Sequence, residues 1–202
     1  WYLSANIADH SNLNHLHLAG LDTAGVPDVL KGYTIPFYYN NFEGLLDVVT
    51  KNDIGVIKME VQRNMGPENN FLQKVRELCD ERGIILIFDE CTSGFRETFG
   101  GLYKKYGEPD MAIYSKTLGN GYAISAIVGK KEIMQVADGK TFISSTFWTE
   151  RIGPAAALAT LNVMEREKSW EKITEIGESN KKRWQELADK HEISITQWGI
   201  PA

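Results

Sequence analysis

Four apolar runs along the chain predict β-strands. They cover residues 54–61, 84–88, 111–114 and 124–129. The second and third runs are apolar throughout, and they follow Gly83 and Pro109 closely. Such runs are typical of strands that are buried on both faces of a parallel sheet. Weaker patterns at 32–40, 142–147 and 193–196 predict a short strand, the end of a strand and the beginning of another.

Helical periodicity fills the intervals between these runs. Phe71, Val75 and Cys79 share one face of a predicted helix that Gly83 ends. The unit from 54 to 88 therefore has the length of a right-handed parallel crossover. Further helices are expected at 42–51 behind an Asn40 or Asn41 cap, at 102–106, at 131–137, from Pro154 as the first helical residue, and at about 170–190. The pattern as a whole predicts an α/β fold, with a mostly parallel sheet covered by helices on both faces.

Two charged residues follow neighbouring strands of the predicted sheet. Asp89 comes directly after the run at 84–88, and Lys116 comes shortly after the run at 111–114. Ligands of open parallel sheets bind outside the carboxyl ends of the strands. The sequence therefore predicts a site that contains an anion and an amine.

Each residue of this pair also has an ordinary interpretation. Asp89 could cap a helix or form a structural ion pair with Arg96, and Glu90 beside it is expected to point the opposite way. Lys116 could be a solvated surface lysine. It precedes a Gly-Asn-Gly loop, however, and at a strand end of low dielectric constant it could serve as a nucleophile for carbonyls.

Two further features allow both a binding role and a structural one. Hydroxyl side chains at 144–149 precede the helix that begins near Pro154, where they could hold a phosphate or simply cap the helix. Glu60 ends the first strand and could face the same crevice or form an ion pair. His15 and His17 could form a metal pair, but no Cys, Asp or Glu at ligand spacing completes the set, and no metal site is expected.

Composition excludes several classes of function. The chain has 202 residues, a net charge of −5 and no basic block, so no nucleic-acid partner is expected. Its apolar runs fall well short of the roughly 20 residues that span a membrane. With two cysteines and no visible signal peptide, the sequence predicts a cytoplasmic protein. The opening at Trp1 without an initiator Met predicts a piece of a longer protein.

A family resemblance joins these features. It is carried by residues 87–96, Gly100-Gly101, 106–110, 115–122 and 127–129, and by Glu60 with 64–66. The chain resembles the class III (ornithine/GABA-type) pyridoxal-phosphate aminotransferases, nearest the branch of glutamate-1-semialdehyde aminomutase. The resemblance implies the central part of the large domain of a fold-type I transferase over 1–190, and a start of the C-terminal small domain in 191–202.

The resemblance also implies roles for individual residues. Lys116 would form the internal aldimine with pyridoxal 5'-phosphate and later move a proton, and Asp89 would pair with the protonated pyridine nitrogen. Cys91 stands where the family usually has Val and would pack on one face of the ring. Glu60 would support the site.

A phosphate ligand is implied as well. Thr146, or Thr149 under an alternative alignment, would give a hydroxyl to the cofactor phosphate of a neighbouring subunit. A homodimer with interfacial sites is therefore expected.

The implied activity is transfer of an amino group from a small-molecule donor to a keto acid or aldehyde. The alternatives are an intramolecular aminomutase, a non-catalytic fragment or relative that keeps only the fold, and a nucleotide-binding domain, against which the missing Gly-rich phosphate loop counts. Val61 replaces the family's Pro after Glu60. The family's phosphate cup and Tyr-His-Gly segment are expected before Trp1 and its small domain after Ala202, so activity of this chain alone is in question.

Overall fold

The computed structural model describes residues 27–30, 32–144, 146–147 and 149–202. The candidate metal pair His15 and His17 lies outside these residues. The chain divides into two compact units, Trp1–Asp53 and Ile54–Ala202, and each is described by itself. Within the described part, no helix combines the length and the apolar character needed to cross a bilayer.

The first unit contains a 3-10 turn, Asp28–Leu30, and helix α1, Phe42–Lys51. The Asn41 side chain caps α1 by accepting a hydrogen bond from the Gly44 N–H at 3.0 Å, so the predicted cap is confirmed. The short strand predicted within 32–40 is wrong, because residues 34–38 form no ladder. Pro36 lies in this stretch, and a proline has no N–H to give to a neighbouring strand.

The second unit is built on a four-stranded sheet in the order β1-β2-β3-β4. Its strands are β1 Val56–Glu60, β2 Ile85–Asp89, β3 Met111–Tyr114 and β4 Ala126–Gly129. β1, β2 and β3 pair in parallel, and β4 pairs with β3 in the antiparallel sense. All four main strand predictions and the mostly parallel sheet are confirmed.

Burial alternates along the parallel strands. Ile57, Met59, Leu86 and Phe88 are buried, whereas their neighbours along β1 and β2 are half-exposed or exposed. Successive side chains of a strand point to opposite faces of the sheet. The expected burial therefore holds for one face of these strands and not for both.

Helix α2, Phe71–Arg82, connects β1 to β2 and packs against β2. Its apolar stripe is buried, and it consists of Phe71, Leu72, Val75, Leu78 and Cys79. Gly83 ends the helix with a φ of +67°, in the left-handed region where glycine is favoured. The predicted crossover helix and its glycine stop are confirmed.

The helix predicted at 102–106 is a 3-10 turn, Leu102–Lys105. The remaining α-helices follow β4. They are α3 Lys131–Met134, continued by a 3-10 turn at Gln135–Ala137, α4 Ile152–Glu167, and α5 Ser169–Lys190. Ala157 of α4 packs in an apolar cluster that includes residues of β3. The other buried members are Phe95, Ala112, Tyr114 and Leu118. Pro154 is the third residue of α4 and not the first, a position where the missing N–H has no partner within the helix in any case.

Two of the weaker strand predictions are wrong. Residues 142–144 and 146–147 form turns and irregular chain. The segment after α5 folds back on that helix instead of pairing: the Ile193 N–H donates to the Ala188 carbonyl at 2.9 Å, and the Gln197 side chain donates to the Lys181 carbonyl at 3.0 Å.

Asp110 connects four elements at the start of β3, a role that the sequence did not indicate. Its side chain is only 8% exposed, and it accepts hydrogen bonds from the Leu86 N–H at 2.8 Å and Arg76 Nη1 at 3.0 Å. Lys130 Nζ lies 2.6 Å from the other carboxylate oxygen. Burial acts to raise the pKa of Asp110, but these donors outweigh it and hold the pKa below its usual value.

We expect Asp110→Ala to lower the free energy of unfolding by about 2–4 kcal/mol, because it leaves a buried N–H and a largely buried guanidinium without their acceptor. Urea denaturation at pH 7 measures the loss. Asp80→Ala is the matched control, since Asp80 accepts from the same Arg76 at 2.7 Å but is 66% exposed. A loss as small as that of the control would contradict the role of Asp110.

The wild type and Asp110→Ala also test how the stability depends on pH. A carboxyl with a lowered pKa stabilises the fold above its unfolded pKa of about 3.9, and this stabilisation is lost as the pH falls through the folded value. The wild type should therefore lose stability more steeply below about pH 4 than Asp110→Ala. If the denaturation midpoints of the two proteins fell equally steeply from pH 5 to pH 2.5, this contribution of Asp110 would be contradicted.

Candidate active site

The ends of β1, β2 and β3 bring the predicted charged residues to one edge of the sheet. Glu60 lies opposite Asp89 in the β1–β2 register, and Asp89 lies opposite Ile113 in the β2–β3 register. Lys116 follows the end of β3 by two residues. Parallel pairing thus gathers Glu60, Asp89 and Lys116 at the carboxyl edge, as predicted.

Asp89 is held by two donors. Lys58 Nζ lies 2.6 Å from Oδ2, and the Cys91 N–H donates to Oδ1 at 3.1 Å. The Asp89 side chain is 22% exposed. Burial acts to raise the pKa of Asp89, but the hydrogen bonds from Lys58 and Cys91 outweigh it and hold the pKa below its usual value, so the carboxylate is ionised at neutral pH.

The cation that meets Asp89 differs from the one considered from sequence. The interpretation that pairs Asp89 with Arg96 is wrong, because Arg96 Nε instead donates to the Thr92 carbonyl at 2.5 Å. Sequence reasoning missed Lys58. A signal was present, since Lys58 is a charged residue inside an apolar strand and shares a strand face with Glu60, two residues later.

Lys116 extends from a tight turn toward the loop after β2. Its backbone has a φ of +46°, which is uncommon for a residue other than glycine, and it begins a 3-10 turn, Lys116–Leu118. Its Nζ lies 2.6 Å from Thr92 Oγ1. Thr92, which was not singled out from sequence, therefore orients the Lys116 amine.

A cleft of about 560 Å³ opens beside this amine. Its lining includes Lys116 together with Arg96 and Tyr122. The Tyr122 hydroxyl donates to Glu150 Oε1 at 2.6 Å. A cleft of this volume accommodates a small organic molecule, since ligand pockets commonly measure roughly 300–1,000 Å³.

Glu90 points away from the site, as the strand alternation predicts. Its side chain is fully buried, where it accepts hydrogen bonds from the Ser93 hydroxyl and from the Tyr103 N–H at 2.9 Å. Burial is the largest influence and raises the pKa of Glu90, although these donors oppose it. Glu90 therefore braces the loop that carries Cys91 and Thr92.

Gly94 lets this loop pack closely against β3. A Cβ at Gly94 would lie 2.7 Å from both the Glu90 carbonyl and the Tyr114 ring. The Gly94 carbonyl accepts a hydrogen bond from Thr117 Oγ1 at 2.7 Å. The loop after Asp89 and the turn at Lys116 are therefore tied together directly.

The other predicted site residues are less closely involved. Glu60 Oε1 lies 3.7 Å from Arg63 Nη1, and its buried Oε2 has no hydrogen-bond partner among the described residues. Thr146 and Thr149 are exposed beside α4, and neither takes part in the hydrogen bonds of Asp89 and Lys116 described above. Their role toward a phosphate stays a prediction.

Comparison with known proteins decides the family. Residues 19–197 match the family model described as aminotransferase class-III. The chain belongs to the class-III aminotransferases. The predicted resemblance is confirmed. The two residues to which the resemblance assigns catalysis lie at the end of β2, for Asp89, and two residues after the paired strand β3, for Lys116.

Curated relatives include both kinds of enzyme that the sequence suggested. The chain is 33% identical over 186 residues to the 3-aminobutyryl-CoA aminotransferase of Cloacimonas acidaminovorans, with 88% of this chain and 45% of the relative covered. It is 42% identical over 153 residues to the glutamate-1-semialdehyde 2,1-aminomutase of Nitrosopumilus maritimus, with 72% of this chain and 36% of the relative covered. The chain thus spans less than half the length of these relatives.

Solved structures share the fold. The FumI protein of Sphingopyxis sp. MTA144, in its PLP internal aldimine form, matches with a TM-score of 0.81 at 24% identity, over 88% of this chain and 45% of that one. An omega-transaminase from Sphaerobacter thermophilus matches with a TM-score of 0.78 at 21% identity, over 88% and 43% respectively. The predicted fold class is confirmed.

The chemistry of Cys91 provides a test of this geometry. Burial, followed by the hydrogen bond and charge of Asp89, raises the pKa of the Cys91 thiol to about 11. We expect slow alkylation by iodoacetamide at pH 8. Asp89→Asn removes the negative charge and should speed the reaction of Cys91 by about three- to tenfold, because the thiolate fraction rises.

Peptide mapping by mass spectrometry separates the two thiols. Cys79 lies on the buried face of α2, where burial raises the pKa of its thiol to about 11, and it serves as the internal control. Its rate should not change in Asp89→Asn. An unchanged rate at Cys91 would show that Asp89 does not govern this thiol.

Proposed function

We propose that this chain carries the cofactor site of a pyridoxal 5'-phosphate-dependent aminotransferase. The reaction would move an amino group from a small-molecule donor to a keto acid or aldehyde. The observation that carries the proposal is the placement of Asp89 and Lys116 at the carboxyl ends of two paired strands of a class-III aminotransferase, with Lys116 lining an open cleft. Relatives named as a CoA-ester aminotransferase and as an aminomutase support the substrate class of small amino compounds.

The residues present fit the cofactor. The Lys58 ammonium lies 2.6 Å from Asp89 Oδ2. This carboxylate is therefore arranged to hold a positive charge, such as that of a protonated pyridine nitrogen. Lys116 is exposed and lines a cleft of about 560 Å³. Pyridoxal phosphate, when bound, supplies an aldehyde that takes up amines and a ring that withdraws electrons from the carbon bearing the amine.

Each residue then has a defined task. The Asp89 carboxylate holds the ring nitrogen in its protonated form, because an adjacent anion in a partly desolvated site stabilises the cation. The Lys116 amine binds the cofactor and afterwards carries a proton to and from the substrate carbon as general base and acid. Thr92 aims that amine through its hydroxyl, which lies 2.6 Å from Nζ. Cys91 would pack on one face of the ring as a neutral thiol.

The remaining assignments rest on the family. We propose Thr146, or Thr149, as a hydroxyl for the cofactor phosphate of a partner subunit, and Glu60 as a supporting residue. A homodimer is proposed on the same ground, and a cytoplasmic location is proposed because two free cysteines suit a reducing compartment. Residues 1–190 would form part of the large domain, with the small domain beginning in 191–202.

A second candidate reaction is supported by the 42% identity to an aminomutase. An aminomutase moves the amino group within one molecule and needs no separate acceptor. Amino-group transfer is measured with and without an added keto acid. Turnover that requires the acceptor supports the aminotransferase, whereas turnover of an amino aldehyde alone supports the aminomutase.

The first test is covalent attachment of the cofactor. Adding pyridoxal phosphate should produce a visible absorption band, and borohydride reduction followed by peptide mapping should place the adduct on Lys116. Lys116→Ala should lose the band, while Lys131→Ala, which alters an exposed lysine at the start of α3, should keep it. An adduct spread over several surface lysines would refute the proposal.

Thr92 provides a finer test. Thr92→Val keeps the side-chain shape but removes the hydroxyl, so attachment at Lys116 should slow by about fivefold, the worth of one hydrogen bond to a charged or polar amine. Thr92→Ser restores the hydroxyl and should react like the wild type. Stopped-flow absorbance measures the rates, and equal rates in all three proteins would argue against an orienting role.

A further inference from the structure

The contact between Lys58 and Asp89 sets this site apart from a simple carboxylate at a strand end. Lys58 lies on β1 and its register partner on β2 is Ile87, so the alternation of the strands places Lys58 and Asp89 on the same sheet face. The two side chains meet at 2.6 Å between Nζ and Oδ2. Lys58 therefore pairs with the carboxylate that a protonated ring nitrogen would also need.

We propose that Lys58 is the counter-ion of Asp89 when no ring is bound, and that it competes with the protonated pyridine nitrogen of the cofactor for this carboxylate. The inference rests on the proposed function and deepens it. It makes Lys58 a positioning residue that sets how tightly, and over which pH range, the site takes the ring.

The exposures of the two side chains determine which of them moves. Asp89 is 22% exposed, and its Oδ1 is also held by the Cys91 N–H. Lys58 is 54% exposed, so its ammonium can return to water at little cost. Two cations close to one carboxylate repel each other. Ring binding should therefore displace Lys58 and leave Asp89 in place.

The groups around Asp89 leave Lys58 as its main charged neighbour among the described residues. Ile113, its register partner on β3, is uncharged. Glu60, its partner on β1, turns one oxygen toward Arg63 at 3.7 Å. Neither register partner of Asp89 therefore adds positive charge at its carboxylate.

The segment that follows Asp89 adds no competing cation either. Glu90 is buried on the opposite side with Ser93. The Cys91 thiol is neutral at pH 7, because its pKa is raised to about 11 by burial and by Asp89. The Lys116 amine is engaged by Thr92 at 2.6 Å. Removing Lys58 therefore takes away the principal cation at Asp89.

The test uses pyridoxamine 5'-phosphate, whose amine cannot attach covalently to Lys116, together with pyridoxal phosphate. Calorimetric titration between pH 6 and pH 9 gives the affinities. Lys58→Met should bind pyridoxamine phosphate about fivefold more tightly near pH 7.5, the worth of a partly exposed ion pair. Lys58→Arg keeps the charge and should match the wild type.

Lys51→Met is the matched control. Lys51 is an exposed lysine of α1 that pairs with Asp47 at 2.8 Å, so its loss changes the net charge of the protein equally. Lys51→Met should bind pyridoxamine phosphate with the affinity of the wild type. Equal or weaker binding by Lys58→Met, while the wild type binds, would overturn the competition.

A second readout needs no cofactor. Carbon NMR of the Asp89 carboxyl, assigned by its loss in Asp89→Asn, should show a higher pKa in Lys58→Met and the wild-type value in Lys58→Arg. An unchanged pKa in Lys58→Met would overturn the counter-ion role.

The outcomes separate this inference from the proposed function. If the wild type binds pyridoxal phosphate on Lys116 but Lys58→Met binds no more tightly, only the competition fails. If neither protein binds either cofactor form, the proposed function fails and the competition fails with it.

Discussion

The site depends on parallel pairing along the whole length of β2. Strands that run in the same direction finish at the same edge, so the end of β2 meets those of β1 and β3. The register places Glu60 opposite Asp89, and the turn at Lys116 follows directly on β3. Asp110 secures this arrangement from the other end of β3, since it holds the Leu86 N–H of β2 and the Arg76 guanidinium of α2.

Asp89 and Glu90 are adjacent carboxylates that differ in burial, and different groups stabilise each of them. Asp89 lies on the half-exposed face and is stabilised by a lysine and a backbone N–H. Glu90 lies fully buried and is stabilised by a hydroxyl and a backbone N–H without a cation. A buried charge needs compensation from nearby donors. The same residue pair thus supplies an ionised group at the carboxyl edge of the sheet and a buried brace for the loop that follows β2.

Membership of the class-III aminotransferases places these observations in a chemical context. Catalysis on an electron-withdrawing ring requires a fixed anion on one side and a mobile amine on the other. The amine of Lys116 is exposed, whereas Asp89 is held by two donors. The exposure of Lys116 and the two donors on Asp89 suit the task proposed for each, and under the proposal Lys58 adds a cation whose departure would accompany binding of the ring.

The sequence by itself determined the strands, the crossover helix with its Gly83 stop, and the candidate pair Asp89 and Lys116. These features follow from local periodicity and from motifs whose residues lie close together in the chain. Weak strand patterns at 32–40 and 193–196 misled, because a strand exists only where a neighbouring backbone completes the ladder.

Only the tertiary structure decided which partners the charged groups meet. Lys58 is 31 residues from Asp89, Thr92 is 24 residues from Lys116, and Arg76 is 34 residues from Asp110. Contacts at such separations depend on sheet register and on helix docking, and both are set by the burial of the core as a whole. The choice of Lys58 over Arg96 as the cation for Asp89 is therefore a property of the fold, not of the local sequence.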